Sequence, residues 1–255
     1  MPLSGTLDIG PRLGRAPRLA SLRTAPETLP RVEILHLMYE IDDRAMQELL
    51  PQALHPSIPP TATFVFWRCR EGPLGAFTLA QVRIGSRAGL RPRGFLVGSY
   101  CDSATAADAL RGRWGFNCRP GDVRLRRYYD RATGTVAADG RSILDVTLID
   151  PVPISGVEVF YQDNMNLALA SADGPERPWL VQVDPEYTFY RTERGRPLVE
   201  RFVQEAWSTE GLRPVHPVSA SYAVCDLTLP RIRYIVDPDR PVFEGTVTLR
   251  TPEKG

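Results

Sequence analysis

Short apolar stretches, often β-branched or aromatic, recur along this chain, and turn-forming residues separate them. Thr61–Arg70, TATFVFWRCR, predicts the clearest strand. Val32–Glu40 (VEILHLMYE), Gly75–Ile84 and Gly94–Cys101 predict further strands, and Val123–Tyr129, Gly134–Ala138 and Ser142–Leu148 predict a meander with Gly turns. Val157–Ala170 is long and apolar and predicts a central strand. Asp163 and Asn164 interrupt it and need partners, a ligand or a bulge. Val218–Leu227, Arg231–Val236 and Pro241–Arg250 predict three more strands.

Helices are fewer. Asp42 or Asp43 can cap RAMQELL, which Pro51 stops, and Ser103 caps ATAADALRG. Pro197–Ser208 has apolar residues at Leu198, Phe202, Val203 and Ala206 behind an initial proline and predicts the most regular helix. Residues 1–30, rich in Pro, Gly, Arg and Ser, predict an extended arm, either disordered or wrapped around a neighbouring subunit. No repeat and no change of composition follows. Residues 31–255 therefore predict a single α+β domain with a dominant antiparallel or barrel-like sheet.

With 43% hydrophobic and 24% charged residues the composition is that of a soluble globular protein. A net charge of +1 gives no pull toward nucleic acid or a membrane surface. The Arg124, Arg126 and Arg127 group accordingly reads as a solvated face or subunit contact. No apolar run approaches the ~20 residues needed to span a bilayer, and MPLSGTLDIGPRLGRAPRLASL lacks the apolar stretch of a signal peptide. Both point to the cytoplasm. The four cysteines and the three histidines, His36, His55 and His216, lack metal-ligand spacing, and no Gly-rich phosphate loop is present, so neither metal nor nucleotide cofactor is expected. The chain has one lysine, Lys254; its other basic residues are arginines.

Leu110–Gly121, LRGRWGFNCRPG, resembles the active-site signature of the acetoacetate decarboxylase family, approximately G-R-E-x-x-G-x-P-K-K-x-G. VEILHLMYEIDDRAMQELLP resembles the family's opening strand, helix and turn, and HPVSASYAVCDLTLPRIRYIVD its closing strand pair. The resemblance implies a mainly antiparallel, cone-shaped, barrel-like sheet with a few short helices around a deep apolar cavity, in a homo-oligomer. In the decarboxylases the first signature lysine forms a Schiff base, and the second lowers its pKa by like-charge proximity. Here those positions are Cys118 and Arg119, and the preceding proline is Asn117. The family's two cavity carboxylates fall near Phe64 and Leu79, and its early arginine near Glu40. A guanidinium stays protonated and is no nucleophile, so Schiff-base decarboxylation is not expected. Arg113, Gly115, Phe116 and Gly121 keep the shape of the signature.

Strand alternation then groups the cavity lining. Phe66 and Arg68 go with Phe64, Phe77 and Gln81 with Leu79, and His36 and Met38 with Glu40. Together with Arg113, Trp114, Phe116, Cys118 and Asp163 they predict an aromatic, apolar chamber for a hydrophobic small molecule. Glu40, Arg68, Tyr100 and Arg119 are the candidate acid–base or hydrogen-bonding groups. Each has a structural alternative: an ion pair of Glu40 with Arg68 at the mouth of the sheet, and a core role for Tyr100. Cys118 reads either as a thiolate favoured by Arg119 or as a buried filler thiol. The expected function is cofactor-independent cyclisation, rearrangement, isomerisation or dehydration of a polyketide-like molecule in a natural-product pathway. The alternatives are a non-catalytic carrier on the same fold and a hydrolase using Cys118.

Overall fold

The computed structural model describes residues 3–172 and 174–249. Its strands are β1 (Glu27–Glu40), β2 (His55–Pro56), β3 (Thr61–Cys69), β4 (Phe77–Ala88), β5 (Arg91–Cys101), β6 (Cys118–Pro120), β7 (Asp122–Arg127), β8 (Arg131–Ala138), β9 (Arg141–Pro153), β10 (Asp163–Ala170), β11 (Arg177–Val183), β12 (Glu186–Phe202), β13 (His216–Leu229), β14 (Tyr234–Val236) and β15 (Thr246–Thr248). Short helices join them: α1 (Gly10–Leu13), α2 (Asp43–Leu49), α3 (Ala104–Trp114), α4 (Gln204–Trp207) and α5 (Val242–Gly245). All strands belong to one mainly antiparallel sheet in the order β15-β14-β11-β10-β5-β4-β3-β1-β13-β12-β9-β8-β7, with β2 paired to β4 and β6 to β5. Among the described residues this path has two free ends, β15 and β7, and no pairing closes it into a barrel. No helix among them is long and apolar enough to cross a membrane.

The central strands are buried on both faces, which explains their near-continuous apolar sequences. One core holds Leu35, Leu37, Phe64, Phe66, Val82 and Ile84 from β1, β3 and β4. The meander β7–β8–β9 folds back over them and contributes Leu125, Val136 and Val146. The two layers meet closely at Gly134, where a Cβ would lie 2.7–2.8 Å from the Phe66 ring. Each fully buried Phe or Leu here is worth on the order of 1.5–3 kcal/mol. The second core lies on the opposite face and contains Ile34, Trp67, Leu79, Phe116, Val181 and Leu227.

α2 and α3 start where their caps predict: Asp42 accepts from Ala45 N–H at 3.0 Å and Ser103 from Ala106 N–H at 3.4 Å. α3 ends at Gly115, whose φ of +73° is the left-handed conformation that glycine adopts without strain. That turn carries the chain into Phe116–Cys118 and hence into β6.

The predicted helix over Pro197–Ser208 is instead the end of the 17-residue strand β12, followed by the four-residue α4. Pairing with both β9 and β13 overrides the apolar spacing, and Leu198 is left largely exposed. The strand expected over Val157–Ala170 starts only at Asp163, after a 3-10 turn at Gly156–Glu158. The strand expected over Pro241–Arg250 is α5 followed by the short β15, and Arg250 and Lys254 lie outside the described residues. The arm does not extend to residue 30, because β1 begins at Glu27. Its described residues pack on the domain of the same chain: Gly5 and Leu7 donate backbone hydrogen bonds to Leu54 and Leu50, and Leu19 to Leu169.

Candidate functional site

Six successive cross-strand partners define one row of the sheet: Ser221 (β13), His36 (β1), Val65 (β3), Gln81 (β4), Ser99 (β5) and Cys118 (β6). Directly opposed residues point to the same face. Cys118, at the position of the family's lysine, therefore shares a face with His36 and Gln81. Strands lie about 4.8 Å apart, so His36 and Gln81 are roughly 10 Å apart across Val65.

Polar groups gather on this face inside the second core. Gln81 is fully buried, and its Oε1 accepts from Arg83 Nε at 3.0 Å, Arg83 Nη2 at 2.8 Å and Asn164 Nδ2 at 3.2 Å. Three donors on one oxygen fix the orientation of the amide. Arg83 Nη1 donates to the Gln162 carbonyl at 3.1 Å, and Thr63 is the cross-strand partner of Arg83. Gln81 Nε2, Asn164 Oδ1 and Thr63 Oγ1 are buried without a partner among the described residues. An unpaired buried polar atom costs about 1–3 kcal/mol. Three of them gather around one buried guanidinium.

His36 is buried and stacks obliquely on Tyr161, with ring centroids 5.1 Å apart. Tyr161 in turn packs edge-on against Tyr187 at 5.2 Å, and its hydroxyl accepts from Ser221 at 3.4 Å. Burial, then the charge of Arg83, lowers the His36 pKa to about 3, so at neutral pH it is an uncharged imidazole that resists protonation. Burial lowers the Arg83 pKa only to about 10, which leaves it cationic. The Tyr161 and Tyr187 hydroxyls are raised by burial and stay protonated. A fixed cation and free amide groups can together polarise a carbonyl. Among the described residues no group of three or more His, Cys, Asp or Glu is placed to hold a metal ion.

The predicted lining is divided between the two faces. Phe77, Leu79, Phe116 and Cys118 lie in the same core as His36 and Gln81, and Met38, on that face at the strand's half-buried end, continues it. Phe64 and Phe66 belong to the other core, because they oppose Leu37 and Leu35, not His36. Arg68 shares their face. It pairs bidentately with Glu33, at 2.5 Å from Nη2, and not with Glu40. Tyr222 and Arg70 also bond Glu33, whose carboxylate these partners hold below its usual range against the opposing effect of burial. Glu40 forms no ion pair among the described residues and sits half-buried beside Thr61 and His216. Tyr100 donates to the Ala206 carbonyl at 2.8 Å and packs on Trp207, in the first core. Arg119 lies over the Tyr100 ring at 4.3 Å. It therefore points away from Cys118, and the like-charge coupling implied by adjacent signature lysines has no counterpart here.

Arg113 is held outside the chamber by Glu27 at 2.9 Å and by the face of Trp114. Trp114 is core beneath α3 and donates to the Pro230 carbonyl at 2.8 Å. Asp163 is half-buried and pairs with Arg93 at the edge of β10. Sequence reasoning missed Arg83, Thr63, Ser99, Tyr161 and Tyr187. Polar residues two apart in otherwise apolar strands, Thr61 and Thr63 or Gln81 and Arg83, are the signal that points to them.

Cys118 is 2% exposed, and burial raises its pKa to about 12, so its thiol stays protonated and unreactive. Arg111 donates to the Cys118 carbonyl, not to its sulfur. All four cysteines are free and buried. We expect the native protein to release less than one equivalent of thionitrobenzoate from Ellman's reagent, and the denatured chain about four. Rapid native reaction at Cys118 would contradict this placement and revive a thiol nucleophile.

Comparison with known proteins agrees with this geometry. No curated protein sequence matches the chain. Among solved structures it is similar to an acetoacetate decarboxylase from Legionella pneumophila, at 21% identity and a TM-score of 0.70 over 84% of this chain and 89% of that one. It is similar to the enduracididine biosynthesis enzyme MppR complexed with pyruvate, at 17% identity and 0.65 over 82% and 90%. An acetoacetate decarboxylase-like enzyme from Sphingomonas wittichii RW1 gives 15% identity and 0.64 over 84% and 94%. Residues 15–238 match the family profile described as acetoacetate decarboxylase (ADC). With the family profile matched over residues 15–238, most of its length, the chain belongs to the acetoacetate decarboxylase family.

Proposed function

We propose that this protein is a cofactor-independent enzyme of small-molecule tailoring that works without a Schiff base. The observation that carries the reading is the unpartnered Gln81, Asn164 and Thr63 atoms around Arg83, on the row that links neutral His36 to Cys118. Where the decarboxylases present an amine, this chain presents a buried thiol. Activation of the substrate then falls to hydrogen bonds and to the guanidinium. Gln81 Nε2 and Arg83 hold a carbonyl oxygen, and the electron pair of the neighbouring C–H bond passes to that oxygen as an enolate while His36 takes the proton. That role requires the developing enolate charge beside His36 to raise its basicity from the lowered resting value. Return of the proton elsewhere is isomerisation. Attack of the enolate on a second carbonyl of the same molecule is cyclisation, and loss of water follows from its product. Trp67, Leu79, Phe116 and Tyr187 supply apolar walls for a hydrophobic, polyketide-like substrate.

The similarity to MppR, an enduracididine biosynthesis enzyme, supports placing the protein in a biosynthetic pathway. The test incubates the protein with linear poly-β-ketone thioester mimics and follows products by mass spectrometry over many turnovers. Repeated conversion, reduced at least 100-fold in His36→Gln and in Gln81→Leu, supports the reading. Stoichiometric binding with the compound returned unchanged makes the protein a carrier. A borohydride-trapped imine on the polypeptide would overturn the mechanism.

A further inference from the structure

Opposite the chamber, on the Arg119 side of β6, lies a cavity of about 710 Å³. Four guanidinium groups reach it: Arg12 and Arg15 from the arm, Arg111 from α3 and Arg119 from β6. Arg12 donates to the Ser208 carbonyl at 2.8 Å and the Val97 carbonyl at 3.4 Å, Arg111 to the Cys118 carbonyl at 2.8 Å, and Arg119 lies over the Tyr100 ring. These partners are all neutral. Among the described residues none of the four arginines makes an ion pair. The lining holds two carboxylates. Asp8 is occupied in accepting from the Gly10 N–H, and Glu210 lies at the exposed rim.

Burial lowers the pKa of Arg12 and Arg119 most; Glu210 opposes it at Arg12 and Tyr100 at Arg119, and repulsion from Arg119 and from Arg15, respectively, adds a smaller lowering. Four like charges held together with only the rim carboxylate of Glu210 acting on them are unfavourable, and an anion among them lowers the cost. The rest of the lining is mainly apolar, with Phe95, Val97 and Leu167 from the sheet and Leu7, Pro11 and Ala16 from the arm, and Asn117 and Ser208 as its polar members.

We infer that this cavity is a second binding site, distinct from the chamber, for an amphipathic organic anion: a carboxylate or phosphate ester on an apolar body. The guanidinium forks take the head and the arm covers the tail. The site is independent of the chemistry proposed for the chamber, because Arg119 and Cys118 point to opposite faces of β6.

Isothermal titration of the intact protein with octanoate, octyl phosphate, 1-octanol and inorganic phosphate tests this. The expected result is one site per chain that binds an octyl anion at least tenfold more tightly than octanol or inorganic phosphate. The tighter of the two anions identifies the head group. Arg15→Gln with Arg119→Gln should weaken binding at least tenfold, whereas Arg119→Lys keeps the charge and most of the affinity. If Arg119→Gln disturbs folding, the exposed Arg15→Gln alone must still weaken binding at least threefold. Octanol binding as tightly as the anions, unchanged affinity in the Arg15 variants, or no heat with either anion overturns the proposal.

Discussion

Gly134→Val is expected to destabilise the protein by about 3 kcal/mol, lowering Tm by roughly 6–12 °C for a chain of this size. A Cβ at residue 134 would sit within 2.8 Å of Cε2, Cδ2 and Cζ of Phe66. Valine is otherwise favourable in a strand, and Gly134 lies inside β8, so backbone preference alone predicts stabilisation. Packing decides the sign, because Phe66 is fully buried between the meander and the central strands and has nowhere to turn. Phe66→Leu should partly relieve the clash. The double variant should then be at least about 1 kcal/mol more stable than the two single effects added together. Urea unfolding of the four proteins measures the coupling. If Phe66 lined an open chamber, its ring would move aside and Gly134→Val would cost almost nothing.

The same residue shows why the site was only partly legible. In TATFVFWRCR both alternating sets carry aromatic residues and both carry polar ones, so only the Thr61 and Thr63 pair hints at which set shares a face with His36 and Gln81. An error of one position exchanges the whole set. Choosing Phe64 as inward-facing placed Phe66 and Arg68 in the chamber, where the structure has Thr63, Val65 and Trp67. In β4, Phe77, Leu79 and Gln81 share one face, as strand alternation groups them around the position near which a family carboxylate falls. The caps at Asp42 and Ser103 were legible because capping is local. β12 was not, because its ladder depends on β9, which ends 33 residues before it, and on β13, which begins 14 residues after it, and pairing at a distance leaves no local periodicity. The arginine cavity was hidden for a similar reason. Arg12 and Arg119 meet only because the arm packs on its own chain. By contrast, the loss of the Schiff-base amine needed no structure, since one lysine near the end of the chain leaves none to serve.

Between pH 7 and pH 5 the native protein is expected to lose about 2 kcal/mol of stability through His36 alone. The direction follows from the lowered pKa. The unfolded chain takes up the proton near pH 6.5, while the native imidazole, buried and facing Arg83, resists it down to about pH 3. Below pH 6.5 the unfolded state therefore binds more protons, and stability falls by about 1.4 kcal/mol per unit. Glu33 and Glu193 have lowered native pKa values, so their contributions are lost only as pH falls below the unfolded carboxylate range near 4.5. Asp163 is raised, chiefly by burial, and acts in the opposite sense. The interval from pH 7 to pH 5 thus isolates the histidine. Urea midpoints should fall across it in the native protein and stay nearly level in His36→Gln, whatever the variant's stability at pH 7. A level profile in the native protein would place His36 in contact with water. The neutral base proposed for the chamber would then be lost with it, since an imidazole protonated near pH 6.5 is not buried against a guanidinium.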